Sequence, residues 1–252
     1  MNVEICQNRA EMGKRAAAYA AAEIREMISK RGSAAVLFAS ADSQLDFLHA
    51  LRQEQVDWPK VTALHVDEYV GMEETHPASF RGFLKKHLLD HVPMAAFHGI
   101  RGEAPDSAAE CARYTELLER LQPGLAVLGI GENGHLAFND PGECDFNDAR
   151  SVRLADLDET CRQQQVNDRA FERIEDVPKQ ALTVTVPALA RVPRLVVVVP
   201  GIRKAPAVKA AVEGEITTAC PASILQRHPR ATLLLDPEAA SQLTPKSGGA
   251  TA

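Results

Sequence analysis

The stretch AVLGIGENGHLAFNDPG, residues 126–142, decides how the rest of the chain is read. It starts as an apolar strand and turns through Gly129-Ile130-Gly131-Glu132-Asn133-Gly134. That is G-x-G-x-x-G behind a strand, the spacing of a dinucleotide-binding loop. Such a loop must pass straight into a helix whose N-terminus receives the pyrophosphate. Here His135 follows at once, and Pro141 and Gly142 would break the helix. The run also lies mid-chain instead of in the first strand–helix unit. The glycines therefore read as a tight strand-end turn, with His135 and the carboxylate of Asp140 beside it. Histidine titrates near neutrality, and a nearby carboxylate would orient its ring, so an acid–base loop is one reading. A histidine that only satisfies loop hydrogen bonds fits the spacing equally well.

The strand LAVLGI (125–130) has companions: AAVLFA (34–39), VTALHV (61–66), RLVVVVP (194–200) and ATLLLD (231–236). All are apolar throughout, the mark of strands covered on both faces. Helical spacing fills the intervals at 8–31, 44–55, 78–91, 106–121 and 204–214. Gly32 and Gly214 serve as stops, and Asp106 and Ser107 as caps. This alternation predicts an α/β fold, a doubly wound, mainly parallel sheet with helices on both faces, Rossmann-like, in a single domain over 1–243. The small polar residues of 244–252 read as a frayed tail.

In such sheets ligands gather at the carboxyl ends of the strands. The segments that follow the strands are Ser40-Ala41-Asp42-Ser43-Gln44, Asp67-Glu68-Tyr69-Val70-Gly71, the His135 loop and Gly201-Ile202-Arg203-Lys204. One rim would thus collect a hydroxyl loop, a carboxylate pair, a histidine and a lysine. Each has a plainer reading as well. A strand-end Asp67 often caps the next turn, and Lys204 could be a solvated lysine at a helix start.

Composition narrows the partners. The 252 residues are 45% apolar and 25% charged, enough for a full core without disulfides. A net charge of −6 argues against nucleic-acid and anionic-membrane partners, yet leaves room for a small anionic substrate. Cys6, Cys111, Cys144, Cys161 and Cys220 are scattered, with no C-x-x-C, as in a reducing cytoplasm. No apolar run approaches the roughly 20 residues of a membrane span. The segment MNVEICQNRAEMGKR lacks a signal-peptide pattern, so a soluble cytoplasmic protein is expected.

GIGENGHLAFND resembles the signature of the glucosamine-6-phosphate deaminases, also called isomerases. VDEYVGM (66–72) with HPASF (76–80) is similar to the family's segment carrying the catalytic aspartate. KQALTVTVPAL (179–189), GIRKAPAVKAAVEGEIT (201–217) and ITTACPASILQRHPRATLLLD (216–236) extend the likeness over nearly the whole chain. The resemblance implies a deaminating aldose–ketose isomerisation of an amino-sugar phosphate that needs no redox cofactor and no metal. It implies that Asp67 removes the C2 proton and that His135 opens the sugar ring, supported by Asn133 and Asp140. Lys204 matches a phosphate-binding lysine, with Ser43 and Gly131 beside it. The family's phosphate arginine falls on Arg169 counting back from Pro178, and on Asn167 counting forward from DETCRQ. Arg169 is the favoured position. The partner expected is a small sugar phosphate, with homo-oligomers allowed.

This chain departs from the pattern in three places. SADSQ (40–44) replaces a T-G-x-[Thr/Ser]-P phosphate loop, and its Asp42 adds a negative charge near the expected dianion. Asn133 stands where Asp is common, and Asp140 where Glu is commoner. An asparagine cannot support an imidazolium by charge. Two other readings compete. One is a 6-phosphogluconolactonase, although LAFND and DEYVG favour the deaminases. The other is a sugar-phosphate sensor that binds without turnover.

Overall fold

The structure, a computed structural model, describes residues 1–245; of the tail expected at 244–252, residues 246–252 lie outside the described residues. The chain opens with strand β1 (Asn2–Ile5), helix α1 (Arg9–Arg31) and strand β2 (Ala34–Phe38). Then come α2 (Leu45–Leu51), β3 (Val61–His65), β4 (Asp67–Tyr69), α3 (Phe80–His87), β5 (Ala96–His98), α4 (Ser107–Leu121) and β6 (Leu125–Leu128). The second half holds β7 (Val152–Asp156), α5 (Glu159–Asn167), β8 (Gln180–Val184), α6 (Val186–Ala190), β9 (Arg194–Val199), α7 (Ala205–Glu213) and β10 (Ala231–Leu235).

Seven strands form one parallel sheet in the order β1-β10-β9-β6-β2-β3-β5. Its strands lack polar alternation because both faces are covered. Leu37, Leu64, Leu128, Val197 and Leu233 point into one core, shared with α4, α6 and α7. Val36, Ala63, Val127, Val198 and Leu234 point into the other, shared with α1, α2 and α3. Asn8 starts α1 by accepting from the Glu11 amide, and Gly32 ends it in the left-handed region with its amide bonded to Ile28 O. The chain steps from β2 outward to β3 and β5, then returns to the other side of β2 as β6. The carboxyl ends of β2 and β6 therefore flank a topological switch, where the two loops diverge and leave a crevice.

The main differences from the sequence expectation lie beside that crevice. Asp67-Glu68-Tyr69, expected as a loop, is strand β4 of a three-stranded antiparallel sheet ordered β4-β8-β7. Asp67 lies opposite Thr183, and Tyr69 opposite Ala181. This layer has its own small core, in which Tyr69 packs on Phe80, Phe138 and Phe171 with ring centroids 4.9, 5.2 and 5.6 Å apart. Some helices are also shorter than their periodicity suggests. α3 starts only at Phe80, because Ser79 is the cap and accepts from the Gly82 amide. α2 ends at Leu51. No helix of the described residues is long and apolar enough to cross a membrane.

Candidate active site

The loop after β6 folds onto its own glycines. Gly131 donates to His135 O at 3.0 Å, and Gly134 donates to Gly131 O at 3.1 Å. Gly134 has φ +88°, a left-handed conformation that glycine adopts without a steric penalty. The His135 ring lies so close over Gly131 that a Cβ there would overlap it. No helix follows, and Leu136 and Asn139 close a short bridge instead. The glycines thus shape a seat for an imidazole.

That imidazole is buried and supported. His135 Nδ1 stands 2.9 Å from Asp140 Oδ1. Asn133 Nδ2 donates to the same Oδ1 at 3.2 Å, and Asn133 Oδ1 accepts from the His135 amide at 3.1 Å. The other Asp140 oxygen accepts from the Asp158 amide at 3.2 Å. Burial pushes the Asp140 carboxyl up, but His135, Asn133 and the Asp158 amide together hold it below the usual range. Asp140 reaches the ring directly, although it is one methylene shorter than glutamate.

Asp67 and Lys204 are buried too, but differently. Asp67 opens β4, and its carboxylate has no hydrogen-bond or ion-pair partner among the described residues. Burial and the adjacent Glu68 charge raise it well above an ordinary aspartate. Glu68 points the other way and anchors the strand. It accepts from Ser79 Oγ at 2.8 Å, the Phe80 and Arg81 amides at 3.2 and 3.1 Å, and Arg81 Nε at 3.2 Å. Lys204 ends a short turn after β9, and its Nζ likewise has no bonded partner among the described residues. Burial lowers its pKa, while Asp168 and Glu132 pull the other way. One buried sulfur is within electrostatic reach of several of these groups. The Cys161 thiol, raised mainly by burial, also feels Asp140, Asp158 and Asp67, and Lys204 feels Cys161 in turn.

The β2 loop meets the β6 loop across the switch. A Cβ on Gly129 would stand 3.2 Å from Gln44 Nε2 and 3.6 Å from Ser43 Oγ. Gln44 Nε2 donates to Ser43 Oγ at 3.1 Å and to Val198 O at 3.3 Å. Asp42 is exposed, and Arg9 holds its carbonyl at 2.7 Å. Arg169 is placed less directly. It is exposed with φ +61°, lines an open cleft with Val166 and Phe171, and bonds no described residue through its guanidinium.

Comparison with known proteins fits this geometry. Residues 7–234 match the family described as glucosamine-6-phosphate isomerases/6-phosphogluconolactonase. The chain belongs to this family. It is 39% identical over 219 residues to a glucosamine-6-phosphate deaminase of Exiguobacterium sp., covering 87% of this chain and 84% of that protein. A solved monomeric glucosamine-6-phosphate deaminase superposes with a TM-score of 0.87 at 32% identity, over 96% of this chain and 99% of the other. A 6-phosphogluconolactonase from Trypanosoma brucei shares the fold, with a TM-score of 0.81 at 16% identity over 96% of this chain and 98% of that one.

Several residues in contact with the site were not singled out from the sequence. Asp158 accepts from Asn133 Nδ2 at 3.0 Å, and Gln164 Oε1 accepts from the Glu132 amide at 2.8 Å. Arg203 pairs with both Glu132 and Asp168. The only available signal was that Asp158, in DLDET, looks like a helix cap, and it does cap α5. Among the described residues, His135, Asp140 and Cys161 are the group whose ligand atoms lie close enough for a metal, within 4.8 Å of one another. His135 and Asp140 already face each other, and Asp140 is further engaged by Asn133 and Asp158.

Proposed function

We propose that this chain converts glucosamine 6-phosphate and water into fructose 6-phosphate and ammonia. One observation carries the reading. An elevated Asp67 and a buried Lys204, both without a bonded partner among the described residues, follow β3 and β9 at the same sheet end where the loop after β6 holds a supported His135. Membership of the family, with deaminases among its similar members, agrees with that chemistry.

In this reading Lys204 meets the phosphate dianion, with Ser43, the Gly131 loop and Arg169 as further contacts. A lysine kept dry and without a protein partner gains most from an incoming anion, and the phosphate fixes C1 and C2 at the other end of the site. With Nδ1 directed at Asp140, His135 keeps Nε2 to take a proton from the anomeric hydroxyl and return one to the ring oxygen. Asp67 then removes the C2 proton from the open chain, giving an enolamine. A proton returns to C1 to form the C2 imine. Water adds at C2, and ammonia leaves as the ketone forms. The raised pKa of Asp67 makes it a stronger base than an exposed aspartate.

The test is to incubate the purified protein with glucosamine 6-phosphate and measure ammonia and fructose 6-phosphate together. Equimolar appearance of both, abolished by Asp67→Asn and lowered by His135→Gln, is expected. Binding without ammonia would sink the proposal in favour of a sensor. Turnover of 6-phosphogluconolactone alone would sink it in favour of a lactonase.

A further inference from the structure

Asn133 takes the place of the aspartate common in the family, and this chain contains a reason. An amide carries two N–H hydrogens, and a carboxylate carries none. Asn133 directs Nδ2 at two carboxylates, Asp140 Oδ1 at 3.2 Å and Asp158 Oδ2 at 3.0 Å. An aspartate at this position would bring a third carboxylate against these two, and like charges at such separations cannot all remain ionised. Asp158 completes the circuit. Its amide donates to Asp140 Oδ2 at 3.2 Å, and its Oδ1 accepts from the Cys161 amide at 2.5 Å to cap α5. The same helix is tied to the loop again through Gln164 and the Glu132 amide at 2.8 Å. Asp158 is therefore bonded to both groups that support His135, and it does so from the first turn of α5.

We propose that Asp158 is a positioning residue for His135, acting through Asn133 and Asp140, and that Asn133 and Asp158 form a matched amide–carboxylate pair. The proposal rests on the ring-opening role given to His135 above. The pair keeps Asp140 aimed at Nδ1. The placement of α5 thereby sets the orientation of the imidazole.

A swap cycle tests this. In Asp158→Asn the new side chain still caps α5, since Asn and Asp cap equally well. Its amide then faces the Asn133 amide, donor against donor. In Asn133→Asp, carboxylate faces carboxylate. The double variant, Asn133→Asp with Asp158→Asn, exchanges the two groups. The amide then donates from the helix to a carboxylate on the loop, which restores the 133–158 bond in reverse, while the contact with Asp140 stays carboxylate against carboxylate. Each single variant is expected to lose roughly tenfold in kcat with little change in KM, and the double variant to exceed the product of the singles clearly while staying below the parent, because the contact of residue 133 with Asp140 is not restored. The melting temperature of Asp158→Asn should stay near that of the parent, because its cap survives. Wild-type kcat and pH profile in Asp158→Asn would overturn the proposal. So would a double variant no better than the product of the singles. If the parent protein releases no ammonia at all, the proposed function fails, but the cycle can still be read from the His135 ring resonances. The singles should displace their chemical shifts, and the double should bring them part of the way back. Resonances that ignore the swap overturn the positioning role independently of turnover.

Discussion

His135 and Lys204 sit at one rim and are both buried, yet the fold treats them in opposite ways. His135 is surrounded by groups already bonded to one another: Asp140, Asn133 and, behind them, Asp158. Lys204, like Asp67, is buried with no bonded partner among the described residues. A satisfied polar network holds a group rigid, whereas an unpaired buried charge is costly until something joins it. The difference assigns two tasks. On the proposed function, the His135 side is built before the ligand arrives, and the Asp67–Lys204 side is completed by it. Regions of the second kind reduce stability for the sake of binding, a familiar trade between activity and stability.

The strongest way to test this contrast is at Asp67. Replacing it by Asn removes the base and should lower turnover by roughly 10²–10⁴-fold, measured as ammonia release and as C2–H exchange with solvent deuterium. In the parent, the ionised base is required and its pKa is raised by burial and Glu68. Activity should therefore rise with pH through a midpoint above the ordinary aspartate range. A rate already flat at that range would contradict the elevated base.

The preorganised side can be broken without touching a polar atom. Gly131→Ala places a methyl where the His135 ring lies. A displacement on the order of 1 Å can cost about 10²-fold, so kcat should fall by that order while KM changes little. An unchanged kcat would mean that the ring does not need its seat. Next in size is Lys204→Ala. Losing one charge-assisted bond of about 1.5–3 kcal/mol should raise KM for the phosphorylated substrate roughly 10- to 100-fold. A larger effect on kcat than on KM would move Lys204 out of the phosphate site.

The smallest effects, on stability, should have opposite signs on the two sides. Asp67 is raised in the folded protein, so its ionisation costs stability above the unfolded aspartate pKa. Asp67→Asn should melt higher than the parent at neutral pH, with the gap closing as pH falls below that value. Asp140 is held low, so its contribution is present above the unfolded pKa and is lost as pH falls through the lower folded one. Asp140→Asn should therefore melt lower at neutral pH. Thermal melts across pH check both, and shifts of the same sign would erase the contrast.

Much of this molecule could be read along the chain because its signals are local. RLVVVV at β9 and LAVL at β6 lack polar alternation, and the structure covers them on both sides. Asn8 and Gly32 bracket α1 as cap and stop. His135, Asp140, Asp67 and Lys204 stand at strand ends, where an open parallel sheet presents its ligands. The antiparallel layer was not legible in this way. β4 is three residues long, and its partner β8 lies more than a hundred residues away, so no periodicity announces the pairing. Asp158 caps α5, but its bond to Asn133 spans 25 positions, so no local signal joins the two.

By itself, then, the sequence determined the five central strands of the parallel sheet, the helices between them and the chemical groups at their ends, because side-chain periodicity and capping act over a few residues. Tertiary structure alone decided which of those groups are paired and which are left open. Whether a buried carboxylate finds an amide, an imidazole or nothing depends on elements brought together from distant parts of the chain. That choice separates Asp140, held low within its network, from Asp67, raised by burial and left without a bonded partner among the described residues.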